Sequence, residues 1–154
     1  MSNDEVLPQA VSANWDVVIE EATGQAEQYR EDGWEAAVVH PGDVTAVFDD
    51  PIGLDVLASR TEFERVQSLA ENHNFDRSHV YRRDGGVVFV LTVFEATADS
   101  VAVLVPTYVS KEDLDQLFDR ARAADELPIH VRPLSDDARV TFVIDDPDLF
   151  FETE

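Results

Sequence analysis

The chain has no cysteine, and only eleven of its 154 residues are lysine or arginine. Without thiols there is no disulfide framework and no thiolate nucleophile, and zinc would have to rely on histidine and carboxylate. Lys111 is the sole lysine; the other basic residues are arginine. So little positive charge argues against nucleic acid as a partner, since phosphate recognition needs basic side chains and only a local patch could supply them. Long hydrophobic runs are missing as well. The longest, VVFVLTVF (Val87–Phe94), is far shorter than a membrane span. The opening MSNDEVLPQA has neither the basic nor the apolar region of a signal peptide. These absences predict a soluble, cytoplasmic protein with no membrane contact.

Acid is what the chain has in excess. Thirty-three aspartates and glutamates give a formal net charge of −22. They lie inside well-patterned segments rather than in a tail, so the whole surface repels itself at low salt. At about 1 M salt the Debye length falls to roughly 3 Å and the repulsion is largely screened. Hydrated carboxylates with few lysine stems therefore predict a protein adapted to a salt-accumulating cell. On that reading the acid is adaptation and does not by itself signal a cationic partner.

The length suits one domain, expected over 1–154. Apolar residues at Leu7, Val11, Trp15, Val18, Ala22, Ala26 and Tyr29 recur at helical spacing and place one stripe along a long amphipathic N-terminal helix. Pro8 suits its first turn, and Gly33 the position after its end. WEAAVVH then reads as a strand, and PGDVTAVFDDP as an irregular segment between turn residues. Together these make an N-terminal part over 1–52.

Beyond Gly53 a pattern occurs twice. GLDVLAS precedes RTEFERVQSLAENH, and VLVPTYVS precedes KEDLDQLFDRARAA. In each copy a serine at the strand end has an acid three residues on, Ser59 with Glu62 and Ser110 with Asp113, as in a helix capping box. At the same offset of 51 residues His79-Val80 matches His130-Val131. The expected fold class is α+β: two tandem βαββ units, over 53–96 and 100–145, forming a largely antiparallel sheet and related by a pseudo-two-fold axis. The N-terminal helix covers remaining apolar surface.

The segments HPGDVT, VVFVLTVFE, VLVPTYVS, HVRPLS and VTFVIDDPDLFF resemble those of an uncharacterised protein family of halophilic archaea, over nearly the whole chain. The resemblance implies a salt-rich cytoplasm and carries no catalytic residue.

Strand alternation puts His79, Tyr81 and Arg83 on one face and Val80 and Arg82 on the other. In the second unit His130 and Arg132 share a face. Arginine's planar fork suits a carboxylate or phosphate, and a nearby histidine can add a donor. His79, Arg83, His130 and Arg132 are thus the candidate ligand-binding residues, expected on matching faces, with Arg82 an ordinary surface residue. The plainer reading pairs these arginines with surface carboxylates at the rim of a hairpin that turns at Gly85-Gly86.

FDDP (Phe48–Pro51) and IDDP (Ile144–Pro147), with His40 and Asp43, suggest an oxygen-rich cation site, but aspartate before proline more simply caps a helix. His73 near a helix end is expected to meet terminal carbonyls. No G-x-S-x-G, P-loop or G-x-G-x-x-G occurs. No metal, cofactor or catalytic residue is therefore expected. The functional expectation is a non-catalytic binding or regulatory domain whose partner is a protein or a small anionic ligand; a homo-oligomer is compatible with it. The alternative is an enzyme acting on a small anionic substrate at the His/Arg strands.

Overall fold

A computed structural model of the chain describes residues 9–48, 52–85, 87–134, 138–144 and 146. Three helices and eight strands follow in the order α1 (Gln9–Glu31), β1 (Glu35–Val38), β2 (Asp43–Val47), β3 (Gly53–Leu57), α2 (Arg60–Asn72), β4 (Arg77–Gly85), β5 (Val87–Ala96), β6 (Val101–Val109), α3 (Lys111–Ala124), β7 (Leu127–Arg132) and β8 (Val140–Ile144). The fold is α+β. Pro8, Asp49, Asp50, Pro51, Gly86, Asp145 and Pro147 lie outside the described residues, and with them the expectations placed on them.

The helix boundaries follow local chemistry. The Ser59 hydroxyl accepts from the Glu62 amide at 3.2 Å, and the Ser110 hydroxyl from the Asp113 amide at 3.1 Å. Each satisfies an N–H that the helix itself cannot. Glu62 does not complete the box by reaching back; its carboxylate instead takes the backbone and ring nitrogens of His40 at 2.8 and 2.6 Å. At the end of α1 the Trp34 amide bonds Tyr29 O and the Gly33 amide bonds Arg30 O. Gly33 closes this Schellman turn with φ +91°.

One largely antiparallel sheet was expected; the strands divide between two. The orders are β1-β6-β5-β4 and β2-β3-β7-β8. In the first, β1 runs parallel to β6; in the second, β3 runs parallel to β7; the remaining pairs are antiparallel. The two hairpins differ in which strand takes the centre. In the β4–β5 hairpin the second strand, VVFVLTVFEA, is almost wholly buried, and β4 with its charges becomes an edge. In the β7–β8 hairpin it is the first strand, LPIHVR, that is buried, and alternating β8 takes the edge. So β6 pairs with the last strand of the first hairpin, whereas β3 pairs with the first strand of the second. That difference breaks the expected two-fold.

Residues 43–47, expected to be irregular, form β2. Val44 and Ala46 turn toward the core while Asp43 and Thr45 stay exposed, an alternation too short to stand out among the flanking turn residues.

The inner faces of the two sheets meet in the main core. Val88, Val90 and Phe94 of β5 pack with Val103 and Val105 of β6 against Leu54, Ile129 and Phe142 of the second sheet. Phe94 stacks on Phe142 with ring centroids 4.8 Å apart. Phe63, Val66 and Leu69 of α2 and Leu114, Leu117 and Ala121 of α3 join that core. The other face of the first sheet carries Phe89, Leu91, Val93 and Leu104, and Val18, Ala22 and Ala26 of α1 cover it. Small residues at the last two positions let the helix sit close to the sheet.

One core group is mismatched. Thr92 is fully buried and, among the described residues, its hydroxyl has no hydrogen-bond partner. Thr92→Val keeps the shape and removes the unsatisfied oxygen, so urea unfolding should show a gain of about 1 kcal/mol. A loss of stability would mean that the hydroxyl is satisfied in solution.

Candidate functional site

The alternation expected in β4 is local and is observed. His79 pairs in register with Val93, and Arg83 with Phe89. Both partners lie beneath α1, so His79, Tyr81 and Arg83 face the α1 side of the first sheet. On β7, Ile129 and Val131 enter the inter-sheet core, which turns His130 and Arg132 to the opposite face of the second sheet. The two His/Arg pairs therefore stand on opposite outer faces of the sandwich. The expected shared face does not form, because the two hairpins belong to different sheets.

Three of the four side chains are committed within the fold. His79 Nε2 lies 3.2 Å from Glu95 Oε1. Glu95 is nearly buried, and its other oxygen accepts from the Tyr29 hydroxyl at 2.6 Å. Burial raises the pKa of Tyr29 well above the ordinary phenol range, and the hydrogen bond to Glu95 adds to the shift. His130 is 5% exposed. Its Nε2 lies 3.0 Å from Ile52 O, a carbonyl that can only accept, so this nitrogen carries the proton. In the neutral ring Nδ1 then accepts from Thr141 Oγ1 at 2.9 Å. Arg132 Nε donates to Asp55 Oδ2 at 2.6 Å, tying β7 to β3. These contacts hold strands together.

Arg83 differs. It is exposed, and among the described residues it makes no hydrogen bond or ion pair. It lines a cleft of about 450 Å³ between α1 and β4, with Val18, Phe89 and Leu91 beneath and Tyr81 and Glu21 beside it. Tyr81 is 44% exposed, an aromatic ring left at the mouth. Arg82 was expected to be an ordinary surface residue; its side chain is only 13% exposed and bonds Asp84 at 3.0 Å. Alternation turns it toward the side of the sheet that carries Val80 and the core.

Tyr81 could have been read from its place between His79 and Arg83. Glu21 could not, because only the packing of α1 brings it to β4. His40 and Asp43 do not converge on a cation: His40 pairs with Glu62, and Asp43 accepts from its neighbour Thr45 at 3.1 Å. Among the described residues no group of three histidine, aspartate or glutamate side chains is placed to hold a metal. His73 meets Asp99 through its ring at 2.8 Å, while only its backbone amide reaches the helix carbonyl Leu69 O. No described helix is long and apolar enough to cross a membrane.

The fold and cleft define an α+β domain of two mixed four-stranded sheets with a helix-covered outer face. The chain belongs to a family of unknown function, DUF7529, which matches residues 5–152. No curated protein and no solved structure matches it.

Proposed function

We propose that this chain is a non-catalytic binding domain working in the salt-rich cytoplasm of a halophilic archaeon. Its ligand is a small molecule with one anionic head, held in the cleft between α1 and β4. The observation that carries this reading is Arg83, a guanidinium without a carboxylate partner among the described residues of a chain with thirty-three acids, facing a cleft of ligand size. Arg83 supplies a forked donor for the head group. Val18, Phe89 and Leu91 offer apolar floor for the body. Glu21, which also lines the cleft, repels a second negative group, so the ligand carries one anionic head only. Of the residues singled out in sequence, Arg83 binds directly and His79 stands behind it on the same strand; His130 and Arg132 serve the β3–β7 pair.

Hexanoate and hexyl phosphate, titrated at a fixed 2 M KCl, present such a head and tail. Arg83→Ala should weaken binding by about 1.5–3 kcal/mol, the value of a charge-assisted hydrogen bond. Arg132→Ala, on the other sheet, should bind like the parent. Absence of binding by the parent, or equal losses in both variants, would remove the cleft as the site.

A further inference from the structure

A second group of arginines lies at the opposite edge of the same sheet, on the far side from β4. Strand β1 is that edge. Glu35 N bonds Ser100 O and Val39 N bonds Leu104 O, so alternation turns the peptide groups of Ala36 and Val38 away from β6. The carbonyl of Ala36 accepts from two guanidinium groups at once, Arg30 Nη2 of α1 at 2.9 Å and Arg65 Nη2 of α2 at 3.2 Å. Two helices distant in sequence thus bring like charges to one oxygen atom.

A cleft of about 390 Å³ opens beside them, lined by Arg30, Val38, His40, Thr61 and Arg65. Arg30 has no carboxylate partner among the described residues, and Arg65 has one, Glu35, at 3.6 Å with both side chains about half exposed. Glu62 also lines this cleft, but both its oxygens are taken by His40. Each guanidinium has five N–H donors, so one bond to a carbonyl leaves most of them available. The two charges repel each other as they stand, and an anion between them turns that repulsion into attraction.

We propose that this cleft is a binding site for the phosphoryl group of a small metabolite, held between Arg30 and Arg65. A phosphoryl group fits better than a carboxylate because its three terminal oxygens can take donors from both helices and from the Val38 amide together. The site is independent of Arg83 and of the cleft at β4.

The test is amide chemical shifts of the full chain in 2 M KCl at pH 7.5, with pyrophosphate as the probe and malonate as its carboxylate counterpart. Saturable shifts are expected at Ala36, Val38 and Thr61. Arg30→Gln and Arg65→Gln should each weaken pyrophosphate binding about tenfold or more. Arg83→Ala should leave it unchanged. Should Arg65→Gln lose its fold, Arg30→Lys keeps the charge but not the fork, and the same weakening is expected of it. The proposal is overturned by an absence of saturable shifts, by shifts confined to Tyr81–Phe89, by arginine variants that bind like the parent, or by malonate binding as tightly as pyrophosphate.

Discussion

Raising KCl from about 0.1 M to 2 M should raise the melting temperature of this protein by roughly 10 °C or more. The formal charge of −22 is spread over exposed faces where carboxylates sit one helical turn apart: Asp16 and Glu20, Glu27 and Glu31, Asp115 and Asp119. Each such pair costs about 0.2–0.5 kcal/mol in an isolated helix, and the longer-range repulsion adds to it. At about 0.1 M salt the Debye length is roughly 10 Å and neighbouring charges feel one another; at 2 M it is shorter than a side chain. Screening also weakens attraction, but the solvated ion pairs, such as Arg60–Glu64 and Arg65–Glu35, contribute only about 0–1 kcal/mol each. Repulsion therefore dominates the balance. Several kcal/mol relieved, at about 2–4 °C per kcal/mol for a domain of this size, gives the expected shift. A scanning-calorimetry series that stays flat or falls would remove the salt-adapted reading of the composition.

Gly53→Ala should cost about 3 kcal/mol or more, the largest loss expected from a methyl group added at any of the described glycines. Gly53 opens β3 with φ +140°, a conformation that L side chains rarely adopt. A Cβ there would stand 2.3 Å from Pro128 O and 3.0 Å from His130 Nε2. The first atom is backbone of the neighbouring strand, so relief requires β3 to move off β7. That movement also breaks the bond from His130 to Ile52 O, leaving a buried ring nitrogen without its acceptor. Gly33→Ala is the control. Its φ of +91° is also positive, though nearer the left-handed helical region, and a Cβ would meet nothing within 4 Å. Only the backbone term remains, about 1 kcal/mol. Equal losses for the two variants in urea unfolding would sink the argument that close strand approach is what Gly53 serves.

What could be read in the sequence was local. The serine caps of α2 and α3, the glycine that ends α1 and the facing of His79 with Arg83 each depend on a few neighbouring residues, and each is present. Partition into two sheets depends on which strand finds which, and the repeated pattern pointed the wrong way there. For the first hairpin the burial contrast was nonetheless available in the letters, VVFVLTVF against the RSHVYRRD before it. The more apolar strand becomes central there, but in the second hairpin VTFVI is the more apolar in its letters and still takes the edge, so composition alone does not place the strands. Site residues were legible only as residue types. His79 finds Glu95 because β4–β5 register places Glu95 opposite Arg77, two residues away along the strand. Arg30 and Arg65 meet because α1 and α2 flank the same edge strand, which no spacing in sequence records.

The exchange of strands between the halves also has a consequence during synthesis. As the nascent chain emerges, β4 and β5 can zip at once through their short turn, and β6 can follow. Strand β3 has such a neighbour on one side only. One side of it takes β2 early, but the other waits for β7, with Leu54 joining Ile129 only after α2, the first sheet and α3 have all been made. Until then a row of unpaired peptide groups beside Leu54 and Val56 is open to whatever strand arrives first. Closing the second sheet is thus the late step of folding, set by a contact of long sequence separation. While that edge is open, the net charge of −22 sets one half-made chain against another by repulsion.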